Sequence, residues 1–348
     1  MHLRPLSERT GGVSHWKGGS QMLNNPMDVL THYPVRKSKK QKASFQEAVC
    51  SYARQLGYPV QVESGSFGAR NVVIGDAENA KYLVTAHYDT CAGLPFPNYL
   101  TPCSLPGFLL CQLLQLLFIA IVSILLAIFE SVLIAGLAAL FGRDLGDGWI
   151  LFVGLVAPGL IWINVVFTVL LMIFGPANKN NANDNTSGVV TLLEILRTLP
   201  ENQRDKVCFV LFDLEEAGLI GSSSYRKTHK QASDRQLVLN LDCVGDGDHL
   251  LMFPTKALKK NRRKLTSLYK ACGYFGNKSL LVHEKGFGIC PSDQMVFPCG
   301  VGICALQKGK HGLYVSRIHT AKDTVLEITN VNILRAALTS FISCDAAQ

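Results

Sequence analysis

The sequence is short of charge. Asp, Glu, Lys and Arg make up only 17% of its 348 residues, and the mean hydropathy is +0.20. An ordinary soluble enzyme is more polar, so this composition excludes a chain that faces water throughout and predicts membrane-embedded segments. Paired cysteines are lacking as well. Eleven cysteines occur, but the number is odd, no CxxC pair exists, and Cys111, Cys208, Cys243 and Cys304 sit inside apolar runs. That excludes a disulfide framework and predicts buried thiols in a reducing compartment. Met1–Pro26 has neither an apolar core nor a cleavage-site pattern, so no signal peptide is expected there. Residues 1–43 are expected to be a disordered N-terminal segment. The basic runs Arg36–Lys42 and Lys256–Lys264, which hold much of the net charge of +8, are not interleaved with aromatics. This excludes nucleic acid as a partner and leaves solvated helix faces, or anionic lipid headgroups, for those charges.

Apolar length is what the chain has in abundance. From Pro102 to Gly142 the only charged residue is Glu130, and from Trp149 to Pro176 there is none. A helix over the second run would extend about 42 Å, enough to cross a hydrocarbon core of about 30 Å with tilt. The first run exceeds one span, which predicts an interfacial part or a break near Glu130. A soluble globule of 38.1 kDa has too little interior to cover so much apolar surface. Two transmembrane helices are therefore expected, near residues 105–142 and 149–175, within an inserted segment 102–176. The short linking loop Arg143–Gly148 is slightly acidic, whereas the lysines and arginines lie on the flanking parts. The positive-inside rule then predicts a plasma or inner membrane protein with its globular body and both termini in the cytoplasm.

The remaining parts, residues 44–101 and 177–348, read as one globular domain. Ser44–Leu56 is an amphipathic helical pattern. Apolar strand patterns fall at Val60–Glu63, Asn71–Ile74, Tyr82–Ala86, Val207–Phe212, Leu237–Leu241, Leu250–Phe253, Ser279–Val282 and Gly302–Leu306. Helical patterns follow Gly188 and cover Ser222–Lys230, Lys256–Cys272 and Glu327–Phe341. Strands alternating with helices predict an α/β fold with a mostly parallel or mixed central sheet and helices on both faces. In such folds chemistry gathers at the carboxyl ends of strands.

Five polar groups stand at those positions or in loops: His87 with Asp89, Asp184, Glu215 with Glu216, Asp242, and His319. Asp184 lies in the amide-rich stretch Asn181–Gly188, where Thr186 or Ser187 can cap the following helix. Each residue alone has a plain structural explanation, as a satisfied core histidine, a solvated loop or a turn cap. Their joint placement at converging strand ends is what argues for chemistry. Imidazole and carboxylate donors without cysteine suit zinc, or manganese and cobalt, in a hydrolytic site.

The order and spacing of His87-Tyr-Asp89, Asp184-Asn-Thr-Ser-Gly188, Asp213-Leu-Glu-Glu216, Leu241-Asp242 and His319-Thr-Ala-Lys-Asp323 resemble the di-zinc aminopeptidase family of metallopeptidase clan MH. That family includes bacterial leucyl aminopeptidases, aminopeptidase Y and glutamate carboxypeptidase II. Ser292-Asp293 followed by Phe297 looks like a further motif of the same family. The resemblance covers about residues 44–101 and 177–342 and implies a zinc-exopeptidase-like fold in a membrane-inserted, bacterial-type member.

The resemblance also implies roles. Two zinc ions, replaceable by Mn2+ or Co2+, would be bridged by Asp184, with His87 and Asp242 completing one position and Glu216 and His319 the other. Asp89 would hold the His87 imidazole, Glu215 would be the general base and then acid, and the Asp184–Asn185 peptide would be cis. The expected activity is removal of N-terminal residues from peptides with a free N-terminus, at the surface of a lipid bilayer. A carboxypeptidase or N-acyl-amino-acid hydrolase on the same scaffold is the alternative, followed by a glutaminyl cyclase or an inactive scaffold. Two departures from the family pattern are visible. Asn181 stands where relatives often have glycine, and 96 residues, including both apolar runs, separate His87 from Asp184. The substrate pocket is expected around Gly286–Phe297 and Gly309–Tyr314.

Overall fold

Strands that carry apolar residues at every position can only be stable with both faces covered. The computed structural model shows how this chain covers them; it describes residues 21–94, 96, 98–142, 148–310 and 312–344. In chain order the elements are α1 (Asp28–His32), α2 (Lys39–Gln55), β1 (Val60–Ser64), β2 (Arg70–Ile74), β3 (Tyr82–His87), α3 (Leu105–Leu140), α4 (Gly148–Phe174), α5 (Gly188–Thr198) and β4 (Val207–Phe212). Then follow α6 (Ile220–Thr228), α7 (Lys230–Arg235), β5 (Leu237–Leu241), β6 (His249–Pro254), α8 (Lys256–Lys260), α9 (Arg262–Leu268), β7 (Gly273–Phe275), β8 (Lys278–Val282), β9 (Gly300–Gly309), β10 (Gly312–Tyr314) and α10 (Ile328–Cys344).

One mixed sheet runs β1-β2-β4-β3-β5-β9-β6-β8-β7, with β10 added to β9. Its centre, β4-β3-β5-β9, is parallel, and antiparallel pairings flank it on both sides. Tyr82, Val84 and Ala86 of β3 point into the core shared with α2, α5 and α10, while Leu83 points into the core holding Tyr225 of α6 and Phe297. The same alternation in β4 sends Val207, Phe209 and Leu211 one way and Cys208, Val210 and Phe212 the other. The fold is the α/β arrangement with helices on both faces that the strand-helix alternation predicts.

The N-terminal expectation needs correction. Residues 21–43 are built into the body rather than disordered, because they carry buried anchors: Leu23, Val29, Tyr33 and Arg36 are all 4% exposed or less. Helix α2 begins at Lys39 instead of Ser44. Ser38 and Gln41 form a reciprocal capping box, which stabilises that start. The basic run is a solvated face only in part, at Lys39 and Lys40. Lys42 is buried and paired with Asp213 at 2.8 Å, and the Lys37 ammonium donates to the Ile173 carbonyl at 2.7 Å. The disorder expected of residues 1–20 lies outside the described residues. The basic segment Lys256–Cys272 is two short helices, because the Asn261 side chain accepts from the Lys264 N–H and starts the second one.

Helices α3 and α4 pack against each other and away from the sheet. Leu105–Leu140 and Val156–Phe174 are both long and apolar enough to cross a membrane, and both are largely uncovered by the rest of the chain. Helix α3 is continuous through Glu130, without the break its length predicts; Asn164 of α4 donates to the Glu130 carboxylate at 2.9 Å. Its 36 residues extend roughly 54 Å. The surplus lies against the body, where Phe108 meets Phe287, Gln115 bonds Asn98 and Phe118 meets Phe96. Of the expected linking loop, residues 143–147 lie outside the described residues.

His229, at the α6–α7 junction, offers a measurable electrostatic contribution to stability. Its Nδ1 lies 2.5 Å from Glu78 and its Nε2 lies 3.0 Å from Glu63. Burial lowers its pKa, but the Glu78 and Glu63 carboxylates outweigh this and raise it above the usual histidine value. A raised folded-state value means that the stabilisation is fully present below about pH 6.5, the unfolded value, and fades as pH rises through the folded one. His229→Gln is expected to cost on the order of 1–2 kcal/mol at pH 6 and clearly less at pH 9. Denaturant titrations at the two pH values check this; an equal cost at both would show that only packing against Tyr225 is lost.

Candidate metal centre

Parallel register brings the predicted residues together. His87 ends β3 level with Phe212 of β4, so the loop Asp213–Glu216 emerges beside it. Asp242 follows β5, whose Asn240 is level with Thr85 of β3. Asp184 enters from the turn before α5, and His319 from the loop after β10. His87 Nε2 is 3.2 Å from Asp184 Oδ1 and 3.7 Å from Asp242 Oδ1. His319 Nε2 is 2.9 Å from Asp184 Oδ2 and 3.3 Å from Glu216 Oε2. The two oxygens of Asp184 are thus divided between the two imidazoles.

Asp89 does more than the single contact expected of it. Its backbone carbonyl is 3.2 Å from His87 Nδ1, closer than its carboxylate Oδ1 at 3.6 Å, while its two carboxylate oxygens accept the Glu215 N–H at 3.1 Å and the Glu216 N–H at 3.3 Å. One residue therefore orients the imidazole through its carbonyl and the backbone of both glutamates through its carboxylate. The loop is held from behind by Asp213, which accepts from the Lys42 ammonium at 2.8 Å and the Arg70 N–H at 3.0 Å.

The turn around Asp184 is fixed by groups distant in sequence. Asp323 accepts the Asn183 N–H at 2.7 Å and the Asp184 N–H at 3.0 Å. Asn185 donates to the Leu241 carbonyl at 2.9 Å and accepts the Gly188 N–H at 3.0 Å. Asn185, not Thr186 or Ser187, caps α5: the Thr186 hydroxyl is engaged by Arg36, and the Ser187 hydroxyl donates to the Asn183 carbonyl. A side chain on Gly188 would meet the Leu241 carbonyl oxygen at 2.3 Å, so this position admits only glycine. The Asp184–Asn185 peptide is cis. Arg36 is fully buried behind the turn, donating to the Tyr88 carbonyl at 2.5 Å and to Thr186 at 3.1 Å. Burial lowers its pKa to about 10, against the pull of Asp89 and Asp184.

Electrostatically the cluster is an acidic well that calls for positive charge. Burial raises the Glu215 carboxyl well above its ordinary value and brings Glu216 up to about 8. Burial works against protonated His319, but Glu216 and Asp184 lift it to about 10; His87 is lifted in the same way by Glu215, Asp184, Asp242 and Asp89. Asp184 goes down despite burial because both imidazoles face it. Asp323 rises to about 8, through burial and then the nearby Asp184.

The donors fit divalent metal. Asp242 Oδ1 and Glu216 Oε1 are buried without a hydrogen-bond partner, a costly condition unless a cation takes the lone pairs. Donor atoms of His87, Asp184 and Asp242 lie within 4.8 Å of one another, as do those of His87, Glu215 and Glu216, and those of Cys91, Glu216 and His319. The last set places a cysteine sulfur beside the expected imidazole and carboxylate donors. Beside the cluster is a pocket of about 150 Å3 walled by Leu100, Pro291, Val315, Ile318 and the thiols of Cys243, Cys290 and Cys304. Part of this wall lies within Gly286–Phe297 as expected, but Leu100, from the segment leading into α3, was not foreseen. Leu100 and Val315 exchange backbone hydrogen bonds of 3.0 and 2.8 Å.

The family model that matches this chain is that of peptidase family M28, over residues 170–341. Over that part the chain is similar to peptidase family M28. Aminopeptidase YwaD of Bacillus subtilis (strain 168) is 42% identical over 67 residues, a stretch that spans 18% of this chain but only 15% of that aminopeptidase. Among solved structures, a Zn-dependent exopeptidase from Parabacteroides distasonis ATCC 8503 is similar over 93% of this chain and 99% of its own, with TM-score 0.52 and 15% identity. Porphyromonas gingivalis glutaminyl cyclase is similar over 92% and 96%, with TM-score 0.54 and 15% identity. At such identities the two structures establish a zinc-exopeptidase-like fold, not a reaction.

Proposed function

We propose that the M28-like domain is a zinc-dependent aminopeptidase that removes N-terminal residues from peptides, tethered to a membrane by α3 and α4 with its catalytic body on the cytoplasmic side. The observation that carries the reading is the division of the Asp184 carboxylate between His87 and His319. In this reading Asp184 would hold metal together with His87 and Asp242 on one side and with Glu216 and His319 on the other. Zinc held there would polarise the scissile carbonyl and make an attacking water easier to deprotonate. Glu215 takes the proton from that water and returns it to the leaving amine. Asp89 keeps His87 oriented and fixes the backbone that presents Glu215 and Glu216. The apolar pocket beside them supports an aliphatic side chain on the residue removed.

A second reading, glutaminyl cyclase, is favoured by the likeness to the Porphyromonas gingivalis enzyme. The presence of both His87 and Asp242 beside Asp184 supports two metal positions and the hydrolytic reading instead. Detergent-solubilised protein, loaded in turn with zinc, cobalt or manganese, is expected to cleave peptides with a free aliphatic N-terminal residue and to leave N-acetylated ones untouched. Cleavage from the C-terminal side or of N-acyl amino acids would point to the alternative hydrolases. Conversion of N-terminal glutamine to pyroglutamate without hydrolysis would point to the cyclase. Recovery of the protein in the soluble fraction without detergent would overturn the tether, and digestion of the body by protease added outside intact cells would overturn its orientation.

A further inference from the structure

Cys91 is four residues beyond His87, in the stretch that follows β3, and the sequence offers no reason to separate it from the other ten cysteines. The structure does. The residue is 2% exposed, and its sulfur shares a sphere of 4.8 Å with donor atoms of Glu216 and His319. One oxygen of Glu216, Oε2, is 3.3 Å from His319 Nε2, and the other, Oε1, is buried and has no hydrogen-bond partner. Among the described residues the thiol makes one weak hydrogen bond, to Asn181 Oδ1 at 3.6 Å. Its backbone is fixed rather than loose: the Cys91 carbonyl accepts the Asn178 N–H at 3.1 Å, and Gly93 N–H donates to the Pro176 carbonyl at 3.0 Å. The strap that leaves α4 therefore holds this thiol against the metal centre. Asn178 in turn donates to the Thr320 carbonyl at 3.0 Å, next to His319, so Cys91 and His319 are tied to the same short segment.

We propose that Cys91 is a sulfur ligand at the His319–Glu216 position, giving one half of the centre a mixed nitrogen, oxygen and sulfur donor set. This rests on the metal-centre reading above. On metal binding the S–H bond breaks, its proton leaves to solvent, and the sulfur donates an electron pair to the cation. A thiolate is a soft donor, so it favours zinc over manganese at this position. The asymmetry follows from the fold: the other half, His87 and Asp242, takes only nitrogen and oxygen from these residues.

Cobalt substitution of the full-length protein in detergent reads the bond directly, because a thiolate ligand adds an intense near-ultraviolet charge-transfer band that oxygen and nitrogen donors do not. The expected result is that the parent protein and Cys243→Ser show the band and Cys91→Ser loses it, while all three retain bound cobalt by elemental analysis. Cys91→Asp keeps an anionic donor at the position and is expected to bind cobalt, again without the band. In zinc–manganese competition, Cys91→Ser is expected to lose about tenfold or more of the zinc preference. Cobalt bound to the parent protein without the band, or a band that survives in Cys91→Ser, overturns the proposal and leaves Cys91 as a small packing residue. A protein that takes up no cobalt overturns the metal-centre reading itself, and the role of Cys91 with it.

Discussion

Glu215→Gln is expected to lower kcat for peptide hydrolysis by roughly 10²–10⁴-fold, with the metal content of the parent protein preserved. Glutamine keeps the size and one acceptor oxygen of the side chain but cannot take up a proton. The backbone of this residue is held by Asp89 independently of its side chain, so the substitution leaves the loop in place. Among the clustered carboxylates, Glu215 faces the pocket beside His87 and Glu216, while the two histidines lie within 3.7 Å of Asp184, Asp242 and Glu216. Turnover assays and elemental analysis on one preparation decide the matter. If the variant retains more than a tenth of the activity, Glu215 is not the proton carrier; if it loses metal, Glu215 is a ligand instead.

Removing metal is expected to lower the unfolding temperature by roughly 8–15 °C. A ligand present at a thousandfold excess over its Kd adds about 4 kcal/mol to the folded state, and each kcal/mol moves the transition of a mid-sized domain by about 2–4 °C. The physical cause is local. Asp89, Asp184, Glu215, Glu216 and Asp242 surround two imidazoles, and Asp242 Oδ1 and Glu216 Oε1 are left buried without partners. Protons on the histidines and glutamates can replace part of the missing positive charge, so the metal-free protein is expected to remain folded but weakened around the Asp184 turn. Thermal melts with a chelator, and again after zinc is restored, measure this. An unchanged midpoint after verified metal loss would mean that the centre contributes nothing to the fold.

The strand ends were readable because their chemistry repeats what the backbone requires. An apolar run such as Tyr82–Ala86 must be an interior strand, and a histidine and carboxylate at its end have no apolar partners to satisfy them. His87 and Asp242 at strand ends, with Asp184, Glu216 and His319 in turns and loops, could be singled out from the sequence as candidates, and their division into two groups was implied by the family resemblance. Arg36, Lys42 and Cys91 could not be singled out. Arg36 and Lys42 sit in a basic run whose pattern is that of a solvated face, and only tertiary contacts with Tyr88, Thr186 and Asp213 reveal them as buried supports. Asp323 lay in between: its motif was visible, but its partners, the Asn183 and Asp184 N–H groups, are backbone atoms that carry no sequence signature. The start of α2 was legible in principle through Ser38 and Gln41, a capping pair that the weak apolar periodicity before Ser44 obscured.

The place of β3 in the sheet also sets an order of events during synthesis. This strand lies between β4 and β5, yet both of its neighbours are encoded beyond the long apolar hairpin. Val207, which begins β4, follows His87 by 120 residues, a delay of roughly 6–24 s at about 5–20 residues per second. Throughout that interval the central strand has left the ribosome without either of its parallel partners, while α3 and α4 are being made. The sheet, and with it the gathering of His87, Asp184, Glu216, Asp242 and His319, therefore closes only after both apolar helices have been made.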